Sequence, residues 1–345
     1  MNAMMFRAAG RTYYRLRERA MLLGLCLGVA GAYALPPVSR AAEPGLTPAA
    51  TEPGATPAAA AAVVQQKTFA TPEEASEALV LAAERFDVPT LKEIFGPDGL
   101  DLVVTEDPVH DRNQLAAFAA EARKHIRVAK DPENPRVAVL SVGIDDWPVP
   151  MPIVEEGGRW RFDSAAGREE ILLRRIGQNE LDAIKVCHGY VEAQYEYASQ
   201  KHDGAAVNQY AQRVISTPGK QDGLAWRGPD GAWHGPVGET IARAIEEEGY
   251  KEQPSPYHGY HFKILKGQGP AAPLGEMDFV VRGVMIGGFA LVAAPAEYEV
   301  TGVKTFIVSH TGTVYEKDFG PQTLDEFRAM ERFNPDSTWT PIAEP

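Results

Sequence analysis

The stretch PYHGYHFKIL, Pro256 to Leu265, decides how the second half of this chain is read. It holds two histidines three apart, two tyrosines, a phenylalanine and a glycine. That content suits a metal site, a catalytic centre or an ordinary strand. Side chains alternate along a strand. A strand over Tyr260 to Leu265 therefore puts Tyr260, Phe262 and Ile264 on one face and His261, Lys263 and Leu265 on the other. His258 and His261 then point apart unless Gly259 breaks the strand between them. Zinc needs three or four ligands, and no Cys-x-x-Cys or His-Glu-x-x-His spacing lies nearby. Remote His234 or His310 could join them only through the fold. The stretch reads as a strand with aromatic packing and half-exposed histidines, and no metal or cofactor is assigned.

Downstream of it, MDFVVRG, MIGGFALVAAP, VKTFIVSH and TVYEKD read as further strands separated by glycines and prolines, with a hairpin turn at Ser309 to Thr313. A final helix is expected over Thr323 to Arg332. Upstream, Thr240 to Gly249 reads as a short helix closed by its glycine. The run TPGKQDGLAWRGPDGAWHGPVGE is a loop rich in turn formers. Tyr210, Val214 and Ile215 suggest a short helical piece. Ile176, Leu181, Ile184, Cys187, Val191, Tyr195 and Ala198 trace an apolar stripe along one long helix that Asp203-Gly204 ends.

The preceding part begins with FATPEEASEALVLAAERFD, where Thr71 caps, Pro72 suits the first turn and Glu74 completes a capping box. Ala75, Ala78, Leu79, Ala82 and Phe86 fall on one face. PTLKEIFG reads as a second helix and Arg112 to Lys124 as a third. RVAVLSVGID, WPVPMPIVEE and GRWRFDS then alternate like strands. Helices followed by an antiparallel meander, twice over, give an α+β fold class. The domain boundaries expected are 67–166 for a small α+β domain and 167–345 for a long helix with an antiparallel sheet.

The N-terminus sets the address. Arg7, Arg11, Arg15, Arg17 and Arg19 flank an uncharged, mostly apolar run from Ala20 to Leu35. That run is short for a membrane span, which needs roughly 20 apolar residues. Small residues follow, with Ser39-Arg40-Ala41 or Ala32-Tyr33-Ala34 as cleavage sites. Residues 1–41 thus read as a cleaved signal peptide, implying a periplasmic or secreted protein with no membrane span in the mature chain. Leu25 is too large to precede a lipidated Cys26. Residues 42–66 are alanine, proline, threonine and glycine, and read as a disordered tether.

The whole chain of 345 residues carries a net charge of −13. Its first 41 residues hold six arginines and one glutamate, so the remainder stands at −18. A chain this acidic has no basic footprint for nucleic acid. Only Cys187 remains beyond the leader, so the mature chain forms no internal disulfide.

Catalytic motifs are hard to find. GQGPAAPLG follows a strand, but Pro270 and Pro273 sit where a dinucleotide-binding helix should grow. Cys187 and His188 are neighbours on a helix and diverge by about 100°. No Gly-x-Ser-x-Gly or Ser-x-x-Lys is present, and catalytic residues stay unassigned. Trp226 and Trp233 lie among glycines and prolines, where they either lid a core or bind sugars, peptides or partner surfaces. The candidate binding residues are Trp226, Trp233, Tyr257, His258, Tyr260 and His261. The export signal, the two compact units and the lack of a catalytic constellation point to a non-catalytic binding or structural module of the bacterial envelope, with an envelope protein, peptide or glycan as partner. The alternative is an envelope hydrolase whose groups converge only in the fold, with His258 and His261 as first suspects.

The segments FATPEEASEALVLAA, IFGPDG, GYHFKILKGQGPAAPLG, MIGGFALVAAPAEY and GVKTFIVSHTGTVYEKDFGP together resemble a bacterial family catalogued as domain of unknown function 2950. The resemblance implies an exported protein and brings no activity with it. The helix-then-meander pattern of 67–166 looks like the cone of nuclear-transport-factor-2-like proteins. Residues 170 to 320 resemble the globular head of type IV pilins and pseudopilins. Here, however, the long helix is internal and charged, with Arg174, Arg175, Glu180, Asp182 and Lys185, which argues against filament assembly.

Overall fold

The computed structural model describes residues 65–105, 107–238 and 256–343. It is a mixed α+β structure whose chain divides into two compact units, one ending at Ile171 and the other beginning at Leu172.

In the first unit α1 (Pro72–Arg85) starts as its sequence dictates. The Thr71 hydroxyl accepts the Glu74 N–H at 3.1 Å, and the Glu74 carboxylate accepts the Ala70 N–H at 3.0 Å. Such a box is worth about 1 kcal/mol. Phe86 closes the helix in the left-handed region, φ 51°. Next come α2 (Val88–Phe95), capped by Asp87, and α3 (Pro108–Lys124), capped by Asp107. The third helix starts four residues before the expected Arg112, because the Asp107 carboxylate satisfies the Val109 and His110 N–H groups.

Strands β1 (Ile126–Lys130), β2 (Val137–Val142), β3 (Trp147–Pro148), β4 (Ile153–Glu156) and β5 (Arg159–Phe162) follow. They form one antiparallel sheet in the order β1–β2–β4–β5, with β3 also on β2. Prolines at 148, 150 and 152 break WPVPMPIVEE into two short strands. Leu91, Ile94, Phe95, Leu140, Ile153 and Phe162 are fully buried between helices and sheet.

Helix α4 (Ser164–Ala198) begins before Gly167, because the Asp163 carboxylate caps the Ala166 N–H at 3.2 Å. It stops at Ala198, five residues short of Asp203. Residues 164–171 fall in the first unit and 172–198 in the second.

In the second unit β6 (Trp226–Arg227) pairs with β7 (Trp233–His234). Then come β8 (Tyr260–Leu265), β9 (Gly267–Gln268), β10 (Met277–Asp278), β11 (Val280–Val281), β12 (Val284–Met285), β13 (Ala290–Pro295), β14 (Thr305–Ser309), β15 (Val314–Lys317), α5 (Thr323–Ala329) and β16 (Thr340–Pro341). The main sheet has the order β16–β15–β14–β13–β8 and is antiparallel throughout. MDFVVRG does not enter it: it supplies β10 and β11, two residues each. The last helix ends at Ala329 rather than Arg332, where the Lys263 ammonium donates to the Phe327 and Arg328 carbonyls.

The opening stretch is indeed a strand from Tyr260, and Gly259, at φ 74°, turns the chain just before it. Tyr260 and Leu265 lie on opposite faces of β8, yet both are buried. The sheet is therefore covered on both sides, and the simple inside–outside alternation fails. Residues 210–215 are not helical. The Tyr210 N–H donates to Met285, Arg213 accepts from Leu224, and Val214 accepts from Ala225. Those distant partners replace the local bonds of a helix. The helix expected over 240–249 lies outside the described residues.

Candidate functional site

The site is built on the irregular segment that follows α4. The side chain of Gln194, fully buried on α4, holds that segment down. Its amide nitrogen donates to the Ala211 carbonyl at 2.8 Å, and its oxygen accepts the Ala211 N–H at 2.9 Å. One glutamine thus imitates a strand partner for one residue of loop. The Gln212 amide donates to the Gly283 carbonyl at 2.8 Å, tying the segment to the β11–β12 hairpin. The Tyr197 hydroxyl donates to Gln221 at 2.5 Å, and Asp222 accepts both the N–H and the hydroxyl of Thr217. His202, buried, stacks on Tyr197 with ring centres 3.9 Å apart.

These anchors leave a cleft of about 210 Å³ lined by Tyr197, Gln209, Tyr210, Gln212, Arg213 and Asp222. The Tyr210 hydroxyl and the Gln209 amide make no hydrogen bond to any described residue. Burial pushes the Tyr210 hydroxyl above its ordinary pKa, so it stays a neutral donor. At Asp222 burial works upward, but the Thr217 bonds and the Arg213 charge outweigh it and hold the carboxyl below its usual value. It is therefore an anion at neutral pH, with the Arg213 guanidinium 3.7 Å away. Tyr195, half exposed, meets Tyr210 edge-on at 6.2 Å.

A wider hollow of about 790 Å³ lies in the first unit, lined in part by Lys92, Asp98, Asp101 and Arg168. Its arginine is already committed. Arg168 donates to both Asp101 oxygens, at 2.8 and 2.9 Å, and to the Asp98 carbonyl.

The residues singled out from sequence are distributed as follows. Trp226 and Trp233 stand on the paired strands β6 and β7; Trp226 packs against the second core and lies 5.4 Å from His202. Arg227 sits over the Trp233 ring at 4.3 Å. Tyr260 is fully buried, its hydroxyl donating to Lys304 at 2.9 Å. His261 faces Phe327 of α5, ring centres 6.2 Å apart. Tyr257 and His258 meet edge-on at 4.4 Å. His258 is exposed, and its Nδ1 lies 3.3 Å from an Asp182 oxygen. Neither of the two concavities is lined by any of the six. Among the described residues, no three His, Cys, Asp or Glu side chains are placed to hold one metal ion. The lining of the cleft was not legible beforehand, because Gln209, Tyr210, Arg213 and Asp222 carry no motif.

His310 completes this region. Its carbonyl accepts the Tyr195 hydroxyl at 2.6 Å, and its ring meets Phe279 and Phe289 edge-on. Its Nδ1 is buried without a hydrogen bond of good geometry among the described residues. Burial pushes the imidazole below its ordinary value of 6.5, outweighing an opposing pull from the Phe289 backbone. The fold thus prefers the neutral ring. Its contribution is complete above the unfolded value of 6.5 and is lost as pH falls through the lower folded value. Urea unfolding between pH 8 and pH 5 should show stability declining below about 6.5, and His310→Gln should flatten that decline. An unchanged slope in the variant would assign the pH dependence elsewhere.

A family model described as Protein of unknown function (DUF2950) matches residues 66–342. No curated protein and no solved structure matches the chain.

Proposed function

We propose, for a chain that belongs to the family described as Protein of unknown function (DUF2950), that the mature protein is an exported, non-catalytic binding module of the bacterial envelope. The observation that carries this reading is the cleft on the segment after α4, whose Tyr210 hydroxyl and Gln209 amide have no partner among the described residues. Both side chains are half-buried, and their polar groups stay open to solvent and so to a ligand. Two left unpaired beside an arginine and an ionised aspartate suit a site that a ligand completes. The address rests on the arginine flank, the short apolar run and the small residues that open the sequence. No helix among the described residues is long and apolar enough to cross a membrane.

A second reading is favoured by one observation, the His258–Asp182 contact. An imidazole oriented by a carboxylate is half of a general-base arrangement. Asp182, however, also receives the Lys185 ammonium at 3.0 Å and the Gln178 amide at 3.1 Å. No serine, threonine or cysteine among the described residues is hydrogen-bonded to His258. The test is a turnover screen of the exported protein on peptidoglycan, envelope peptides and esters, with His258→Ala beside the wild type. No turnover is expected from either. Turnover that disappears in the variant, with the fold retained, would overturn the binding module in favour of a hydrolase.

A further inference from the structure

Resting on the binding reading of the same cleft, we infer that its ligand is a neutral sugar residue. Charge narrows the ligand first. Arg213 and Asp222 line the cleft together, 3.7 Å apart, and Asp222 is held ionised. A carboxylate or phosphate that reached Arg213 would meet the Asp222 carboxylate. An ammonium that reached Asp222 would meet Arg213. A neutral ligand that both donates and accepts suffers neither repulsion. The overall charge of −13 adds a long-range penalty for polyanions.

Hydrogen-bond capacity narrows the class further. Asp222 only accepts, Arg213 only donates, and the Gln209 amide and Tyr210 hydroxyl do both. Neighbouring hydroxyls on a pyranose ring match that mixture, since each hydroxyl donates one bond and accepts others. Tyr210, partly exposed beside half-exposed Tyr195, offers an aromatic surface to the apolar face of such a ring. The cleft, at about 210 Å³, has room for one ring rather than an extended polymer.

A peptide is the competing class, and the backbone argues against it. Peptides in extended form are held through main-chain bonds. Here the Tyr210 N–H is taken by Met285, and both main-chain groups of Ala211 are taken by Gln194. Arg213 and Val214 carbonyls accept from Leu224 and Ala225. The cleft thus presents side chains where a peptide would need main chain.

The experiment is an amide-resolved NMR titration of the exported protein. The probes are neutral trisaccharides of β-linked glucose, β-linked N-acetylglucosamine and α-linked glucose, a set of neutral tripeptides, and inorganic phosphate. Saturable shifts at 209–213 and 222 with one saccharide are expected. Gln209→Ala combined with Tyr210→Phe, both on a loop and mild for folding, should weaken that binding about tenfold or more. Saturation of the same amides by tripeptides or phosphate, with saccharides silent, would overturn the sugar and leave the binding module standing. Silence of the cleft to every probe would overturn both.

Discussion

Replacing Gln194 with leucine lowers the unfolding free energy of the second unit by about 2–6 kcal/mol and frees the segment that forms the cleft. Leucine fills a similar volume but offers neither donor nor acceptor. The Ala211 N–H and carbonyl, both paired only through the glutamine amide, are then left buried and unsatisfied. Each costs about 1–3 kcal/mol. The Tyr190 hydroxyl also loses its 3.0 Å contact with the Gln194 nitrogen. Urea unfolding reads the stability, and hydrogen exchange at 208–216 reads the release. Wild-type exchange at those amides in the leucine variant would show that the segment holds itself down.

Replacing Glu180 with alanine has a comparable effect near the middle of α4, about 3–6 kcal/mol. Glu180 is buried, and one of its oxygens accepts the N–H groups of Val303 and Lys304, each at 3.0 Å. Hydrogen bonds to a charged acceptor contribute about 1.5–3 kcal/mol each, and alanine leaves both donors without it. Glu180→Gln separates geometry from charge, because an amide oxygen accepts the same two bonds. A glutamine variant with a smaller, intermediate loss and an alanine variant strongly destabilised are the expected pair of results. Equal losses in both would mean that the charge, rather than the acceptor geometry, holds the 302–304 turn.

How much of this was legible follows from how local each cause is. The capping box at Thr71 and Glu74 lies within five residues, and the sequence pattern located α1 correctly. β8 was legible because Tyr260 to Leu265 holds no residue that breaks a strand, and Gly259 marked its start. The long helix was legible from its apolar stripe, while its ends depended on Asp163 and on the loop that follows Ala198. The failure at 210–215 has the opposite cause. Tyr210, Val214 and Ile215 have helical spacing, yet Gln194, Met285, Leu224 and Ala225 claim the backbone of that segment from up to 75 residues away. No single short window of sequence contains all of those partners.

The same reasoning explains the candidate site. Tryptophans, tyrosines and histidines drew attention because they are rare and chemically versatile. The fold used Tyr260 as a core residue and stacked Arg227 on Trp233. Meanwhile Gln209, Arg213 and Asp222, unremarkable as letters, were gathered around one cleft by a loop with almost no regular structure. His258 and Asp182 stand 76 positions apart in the chain, so their contact was equally invisible.

Cys187 offers a practical return. It is the one cysteine among the described residues, wholly enclosed on α4, and its thiol is pushed up to about 12 by burial. Maleimides and similar reagents attack the thiolate, so the native sulfur stays silent in the folded state. In a chain that begins after Cys26, a new cysteine at the rim of the cleft can then carry a fluorophore or spin label by itself, with Cys187 left in place.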